Sequence, residues 1–273
     1  MITLKDDLSR VVQLKGPGRR IVSLVPSITE TLFSLGAGGQ IAGITDFCIH
    51  PKAEVSAKPK IGGTKNFFIN RVLDLNPDLV IANAEENRKH EVERLEKAGL
   101  TVFVTFPRTI DGCAKMISDM AIMTGTEPAA QPILAAIAAA RAAARAGAVD
   151  PTPGVLCPIW KNPYMTVNGD TYVDSVIQAS GGRNVFCQSA ERYPQFTLAE
   201  AARRQPDVIL LPTEPYRFSK AEITEFEEMG SKVPAVRNRR IHIVEGELLS
   251  WYGPRLPRAI AEISTILVLS TEY

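Results

Sequence analysis

Val72-Leu73-Asp74-Leu75-Asn76-Pro77-Asp78-Leu79-Val80-Ile81-Ala82-Asn83 and Ala201-Ala202-Arg203-Arg204-Gln205-Pro206-Asp207-Val208-Ile209-Leu210-Leu211-Pro212 are two copies of one phrase. Each reads as a helix end, a Pro-Asp turn and a short apolar strand. Each is followed by a polar loop, a helix with acidic and basic faces, and another apolar strand: Leu100 to Phe106, then Arg240 to Val244. Two similar α/β lobes are expected, with a cleft between them. Clefts between lobes are where small ligands bind, so the pattern indicates a binding module ahead of any catalytic motif.

Between the copies, the chain from Pro128 to Ala146 is mostly alanine, interrupted by Leu134, Ile137, Arg141 and Arg145. Alanine is the best helix former, and about 18 such residues span roughly 27 Å. Pro132 is tolerable only near the start of such a helix. The organisation that follows is a lead-in over 1–19, an N-terminal lobe over 20–126, a bridging helix over 127–149 and a C-terminal lobe over 150–273. A small hairpin ending at Gly16-Pro17-Gly18 is expected in the lead-in. Strands are expected at Arg20–Leu24, Ile41–Thr45, Leu79–Ala82, Thr101–Thr105 and Val155–Trp160. Ser27-Ile28-Thr29-Glu30 has the spacing of a capping box, opening a helix that stops at Gly36. The fold class is α/β: two Rossmann-like lobes with parallel sheets, joined by a single long helix.

Composition narrows the function. With 273 residues, net charge +1 and 7% aromatics, the chain has no basic stripe, and nucleic-acid binding is not expected. No run approaches the roughly 18 apolar residues of a membrane span. Met1-Ile2-Thr3-Leu4-Lys5-Asp6-Asp7 lacks the apolar core of a secretory signal. A cytoplasmic location follows if Met1 is the native start, and a periplasmic or cell-surface one if a leader has been removed. Cys48, Cys113, Cys157 and Cys187 form no C-x-x-C pair and read as reduced, partly buried thiols. Gly36-Ala37-Gly38-Gly39 follows a helix where a dinucleotide turn must follow a strand, and reads as a helix cap. Gly62-Gly63-Thr64-Lys65 lacks the upstream glycine of a phosphate loop. No nucleophile elbow or H-E-x-x-H is present, so no enzyme is expected.

Ile21-Val22-Ser23-Leu24-Val25-Pro26-Ser27-Ile28-Thr29-Glu30, the Gly62-Gly63-Thr64 turn, both Pro-Asp phrases and Gly181-Gly182-Arg183-Asn184-Val185-Phe186 carry a family resemblance. In order and spacing, from Arg20 to the C-terminal helix, the chain resembles the helical-backbone (class III) substrate-binding proteins of ABC importers, above all the cobalamin-binding members. The resemblance implies two α/β lobes bridged by one helix, a ligand in the cleft and little domain closure. It also implies an acidic residue on each lobe that pairs with arginines of ABC permease subunits. Asn70 and Ala199 stand at those positions, with Glu200 one place further on. The ligand implied is a metal chelate: a bound corrinoid first, another tetrapyrrole or an iron-siderophore as the alternative, with no cofactor required. A cytoplasmic ligand chaperone or sensor, and a metal-dependent enzyme on the same lobes, are the readings from other classes.

Candidate ligand residues lie in loops that follow strands. Pro26 and Ser27 place a helix N-terminus there, whose free amides favour an anionic or carbonyl group. Asp46, Phe47, Lys65, Phe67 and Asn83 continue the rim of the first lobe. Asn83 occupies the rim where haem-binding relatives place a ligating tyrosine, which favours a corrinoid. In the second lobe, the loops carrying Trp160, Met165, Tyr193, Trp251 and Arg255 match ligand-facing loops of the family. Aromatic faces with few fixed polar groups suit a broad macrocycle. Cys48 and His50 are the candidate metal ligands, two residues apart in a cleft loop. His90, on a charged helix, and His242, in an apolar strand, read as solvated and structural.

Overall fold

The computed structural model describes residues 1–268, and among them no helix is long and apolar enough to cross a membrane. The chain forms two compact units. The first comprises Met1–Pro107, Asp111–Ala135 and Tyr252–Pro254; the second takes Arg108–Ile110, Ala136–Trp251 and, of the described residues, 255–268.

The first unit opens with an antiparallel hairpin, β1 (Ile2–Lys5) and β2 (Val11–Leu14). Its main sheet holds β3 (Ile21–Ser23), β4 (Ile41–Ile44), β5 (Leu79–Asn83) and β6 (Val102–Thr105), all parallel, in the order β4-β3-β5-β6. The second unit holds β7 (Gly154–Leu156), β8 (Arg183–Asn184), β9 (Val208–Pro212) and β10 (Ile241–Val244), parallel in the order β8-β7-β9-β10. In both sheets the first strand has the second on one side and the third and fourth on the other. The repeat in sequence is therefore a repeat in topology. Every residue of β5 and β9 is buried, as parallel strands covered on both faces require.

The repeated phrase does the same work in each unit. Asn76 and Gln205 take left-handed backbone (φ 44° and 48°), which turns the preceding helix off its axis. The aspartate two residues later then clamps the neighbouring strand. The Asp78 amide donates to the Arg20 carbonyl at 3.0 Å, while its carboxylate accepts from the Arg19 and Arg20 amides at 2.8 and 3.1 Å. The Asp207 amide donates to the Gly154 carbonyl at 2.7 Å, and its carboxylate accepts from the Gly154 amide at 2.7 Å.

The N-terminal hairpin turns at Asp6–Arg10 and ends at Leu14, just ahead of Gly16-Pro17-Gly18 as expected. That turn covers the outer edge of β6: the Asp7 carboxylate accepts from the Phe106 amide at 2.6 Å, the Asp6 carboxylate from the Val104 amide at 3.3 Å, and the Asp7 amide donates to the Val104 carbonyl at 3.1 Å. An exposed strand edge invites foreign pairing, and the lead-in removes it. The helix Glu127–Ala146 carries the chain from the first unit to the second, at Ala135–Ala136. It runs over Pro132 without stopping, so the proline lies inside the helix and not merely near its start.

Ser27 does not cap the first helix. The helix begins at Pro26 after an extended Val25, with no side-chain cap. Proline at the first helical position brings its φ preset and has no N–H to satisfy, so the start moves ahead of Ser27 and buries it. Capping boxes do form in the second unit, at Thr197 with Glu200 and at Ser219 with Glu222. Gly36, at φ 76°, ends the first helix as expected.

Replacing Asp207 or Asp78 with alanine removes the clamp and leaves strand-leading amides unpaired. Each variant is expected to lose about 1–3 kcal/mol in urea unfolding, with the asparagine variants losing less.

Candidate functional site

In open α/β sheets, ligands bind outside the carboxyl ends of the strands, where the strand order reverses. The reversal falls between β3 and β5 in the first unit and between β7 and β9 in the second. The loops leaving those strands are the candidate faces, and each is described within its own unit.

In the first unit the loops after β3 and β5 are tied by amides. The Asn87 side chain donates to the Leu24 carbonyl at 3.2 Å and the Thr64 carbonyl at 2.8 Å, and accepts from the Asn83 amide at 2.8 Å. Asn83 is itself buried. Its side-chain carbonyl oxygen accepts from the Glu85 and Glu86 amides, and its Nδ2 donates to Thr105 Oγ1 at 3.2 Å. Asn83 therefore serves its own loop. The Glu85 carboxylate accepts from the Tyr252 hydroxyl at 2.8 Å.

Pro26 is half-buried and Ser27 buried, while Asp46 and Lys65 are exposed. Phe47 is 60% exposed, whereas Phe67 is only 4% exposed and packs as core. The neighbouring Phe68 is the open ring, with the Arg71 guanidinium 4.4 Å from its centre. The Gly62-Gly63 turn lies against both open rings: an added Cβ at Gly63 would come 3.3 Å from Phe47, and one at Gly62 (φ 104°) 3.0 Å from Phe68.

Cys48 is buried, with its sulfur 3.1 Å from Thr29 Oγ1 and 3.2 Å from Thr45 Oγ1. Burial pushes its thiol up, against the thiolate that metal ligation needs. His50 is half-buried. Among the described residues, no three His, Cys, Asp or Glu side chains converge as a metal site. His90 is exposed, and burial lowers the basicity of half-buried His242.

In the second unit the loop after β7 is a tight reverse turn. The Met165 and Trp160 backbones pair, and Met165 also bridges to Gln195. Trp160 is 44% exposed and meets Tyr216, from the loop after β9, edge to face at 6.0 Å. Met165 is half-buried. Beside this pair, Lys161 bonds to the Glu222 carboxylate at 3.1 Å and to Glu225, whose other oxygen accepts from the Tyr164 hydroxyl at 2.5 Å. Burial works to raise the Glu222 carboxyl, but Ser219 and Lys161 outweigh it and hold the group down to about 2.

Tyr193 is exposed, with the Arg192 guanidinium 5.6 Å from its ring. Arg192 and Arg108 both bond the Asp170 carboxylate at 2.8 Å. Trp251 is only 9% exposed, lying under the Arg255 guanidinium at 5.1 Å. Arg255 pairs with Glu245 and Glu247. Asn70 and Ala199 are exposed near the starts of their helices. Glu200 closes the capping box, accepting from the Thr197 amide at 2.8 Å and hydroxyl at 3.0 Å. Those bonds hold its carboxyl below the usual range.

Phe68 and Asn87 lie in the same loops as the rim candidates Phe67 and Asn83, and Lys161 and Tyr164 in the loop of Trp160 and Met165, so sequence reasoning reached those segments. It missed Tyr216 and the carboxylates of Glu222 and Glu225, whose one signal is the Ser219-x-x-Glu222 spacing.

Comparison with known proteins agrees with this architecture. A model of the family described as periplasmic binding protein matches residues 21–247. The vitamin B12-binding protein of Vibrio parahaemolyticus is 24% identical over 257 residues, covering 93% of this chain and 91% of that protein. The periplasmic heme-binding protein RhuT from Roseiflexus, in apo form, superposes with a TM-score of 0.78 at 25% identity, covering 92% of this chain and 98% of that one. The periplasmic vitamin B12-binding protein BtuF of Vibrio cholerae gives 0.80 at 22% identity, covering 94% and 99%.

The thiols give a direct check of the first face. Burial raises Cys48 and pushes Cys157 up to about 12, while Cys187 is half-buried. Alkylation of the native protein at neutral pH is expected to label Cys187 first, with Cys48 and Cys157 reacting only on unfolding, as peptide mapping by mass spectrometry would show.

Proposed function

The chain belongs to the periplasmic binding protein family, and we propose that it captures a metal-bearing tetrapyrrole reversibly and without chemistry, a corrinoid in first place. The observation that carries this reading is the placement of large open aromatic rings, Phe47 and Trp160, on loops at the carboxyl ends of the two sheets. Such faces suit a broad, largely apolar ring system, whose own nitrogens supply the metal's donors. That accords with side chains that, among the described residues, form no three-membered metal cluster.

The vitamin B12-binding relatives, which align over nearly the whole chain, favour a corrinoid. The heme-binding structure at 25% identity supports haem as the second reading. Handover to importer subunits would not use carboxylates at Asn70 and Ala199, and the Glu200 carboxylate is already engaged by Thr197.

Titration with cyanocobalamin, cobinamide and haemin, followed by tryptophan quenching and the ligand's visible bands, tests the proposal. Saturable one-to-one corrinoid binding is expected, tighter than that of haemin. If haemin binds tighter, the second reading replaces the first. If neither class binds below about 100 µM, roughly −5.5 kcal/mol, the tetrapyrrole reading is wrong.

A further inference from the structure

The switch point of the second unit joins two observations. Trp160 and Tyr216 come from the loops after β7 and β9, the strands between which the order reverses, and their rings meet at 72°. The charged cluster beside them links those same loops. Lys161 and Tyr164 belong to the β7 loop, and Tyr216, from the β9 loop, lies with its hydroxyl 3.4 Å from Glu222 Oε1. The carboxylates stand on the helix Lys220–Glu227, which the Ser219 amide and hydroxyl anchor to Glu222 at 2.8 and 2.7 Å.

The Lys161 and Glu222 side chains are 16% and 8% exposed. Ion pairs this sheltered are a poor source of stability, since apolar residues of similar volume often do as well or better. Their best-attested benefit is specifying one arrangement among several. Here the arrangement specified is the turn that carries Trp160. A half-exposed indole on a loop would otherwise spread over rotamers, and a ligand would have to order it on binding.

We infer that Lys161 is a positioning residue: through Glu222 and Glu225 it holds Trp160 against Tyr216 as a preset aromatic wall for the ligand. The inference rests on the tetrapyrrole reading for what the wall contacts, but its geometric half can be measured without any ligand. Lys161 touches no ligand in this scheme and acts only through the indole.

The chain has two tryptophans, so W251F leaves Trp160 as sole reporter. In that background, K161M is expected to increase acrylamide quenching of Trp160 and lower its anisotropy in the ligand-free protein, and K161R to restore both. In the Trp251-containing protein, K161M is expected to weaken binding of cyanocobalamin, or of haemin if that is what binds, by about three- to tenfold. In a W160A background K161M should add nothing, because the wall is already gone. Urea midpoints measured in parallel separate loss of fold from loss of position. If K161M unfolds the unit, Y164F provides the gentler test: it removes only the hydroxyl bond to Glu225 and keeps the ring against Phe196 and Phe226.

Unchanged Trp160 quenching and anisotropy in K161M would overturn the inference whatever the protein binds. So would a K161M binding defect that persists undiminished in W160A. Absence of binding by the wild type would instead remove the tetrapyrrole reading and with it the wall's assigned role, leaving the fluorescence result to judge the positioning alone.

Discussion

The structure depends on a carboxylate clamped across the lower end of each sheet. A parallel strand that begins after a helix has nothing in its own ladder to fix where it enters. Asp78 and Asp207 supply that reference by bonding the backbone of the first strand through both amide and carboxylate. The strands so joined, β3 with β5 and β7 with β9, are the pairs between which strand order reverses. At about 3.3 Å per residue, a slip of one residue here would displace the loops at the far end by more than a hydrogen bond's tolerance. It would also turn buried side chains to the wrong face. The contacts of Asn87 with Leu24 and Thr64, and of Trp160 with Tyr216, are therefore set partly by aspartates at the opposite ends of the strands.

That clamp is why the fold is legible in the residue order. Helix end, left-handed residue, Pro-Asp and apolar strand are local events, and each leaves a mark in the chain. Two copies of the same marks are enough to disclose a duplicated topology. The helix start at Pro26 is harder to read, because Ser27-x-x-Glu30 has the right spacing for a box while the proline ahead of it decides the boundary. The same spacing at Thr197–Glu200 and Ser219–Glu222 is genuine, and no proline stands at the first helical position there.

The candidate faces are less legible, because past the end of a strand there is no period to say which way a side chain points. Phe67 and Phe68 are adjacent and chemically identical, yet one is core and the other open. The backbone there is held by the bridge between Gly62 and Phe67 and by the Phe68 amide donating to the Ile61 carbonyl at 2.7 Å, contacts that no residue period announces. Trp251 reads as an anchor but lies buried under Arg255, whereas Trp160 is open. Asn83 reads as a rim contact, but its polar atoms are engaged by its own loop and by β6. Polar residues in a loop after a strand face two demands, the ligand's and the backbone's, and sequence alone does not separate them.

The two units meet the backbone's demand with different chemistry, and the difference bears on what can happen at each face. The first ties the loops after β3 and β5 through the neutral amides of Asn83 and Asn87, which need only a partner and lose little if a ligand covers them. The second sets one ammonium against two carboxylates, an excess of negative charge that would resist being covered, since loss of water penalises an unpaired ion by several kcal/mol. The surplus is absorbed by other donors: Ser219 through amide and hydroxyl on Glu222, and Tyr164 on Glu225. The Ser219 bonds, with Lys161, hold the Glu222 carboxyl down to about 2 against its own burial, and Lys161 and Tyr164 lower that of Glu225. Covering the cluster then lowers the dielectric around bonds already made, which strengthens them and demands no proton. A face held in this way keeps one charge state near neutral pH, covered or not.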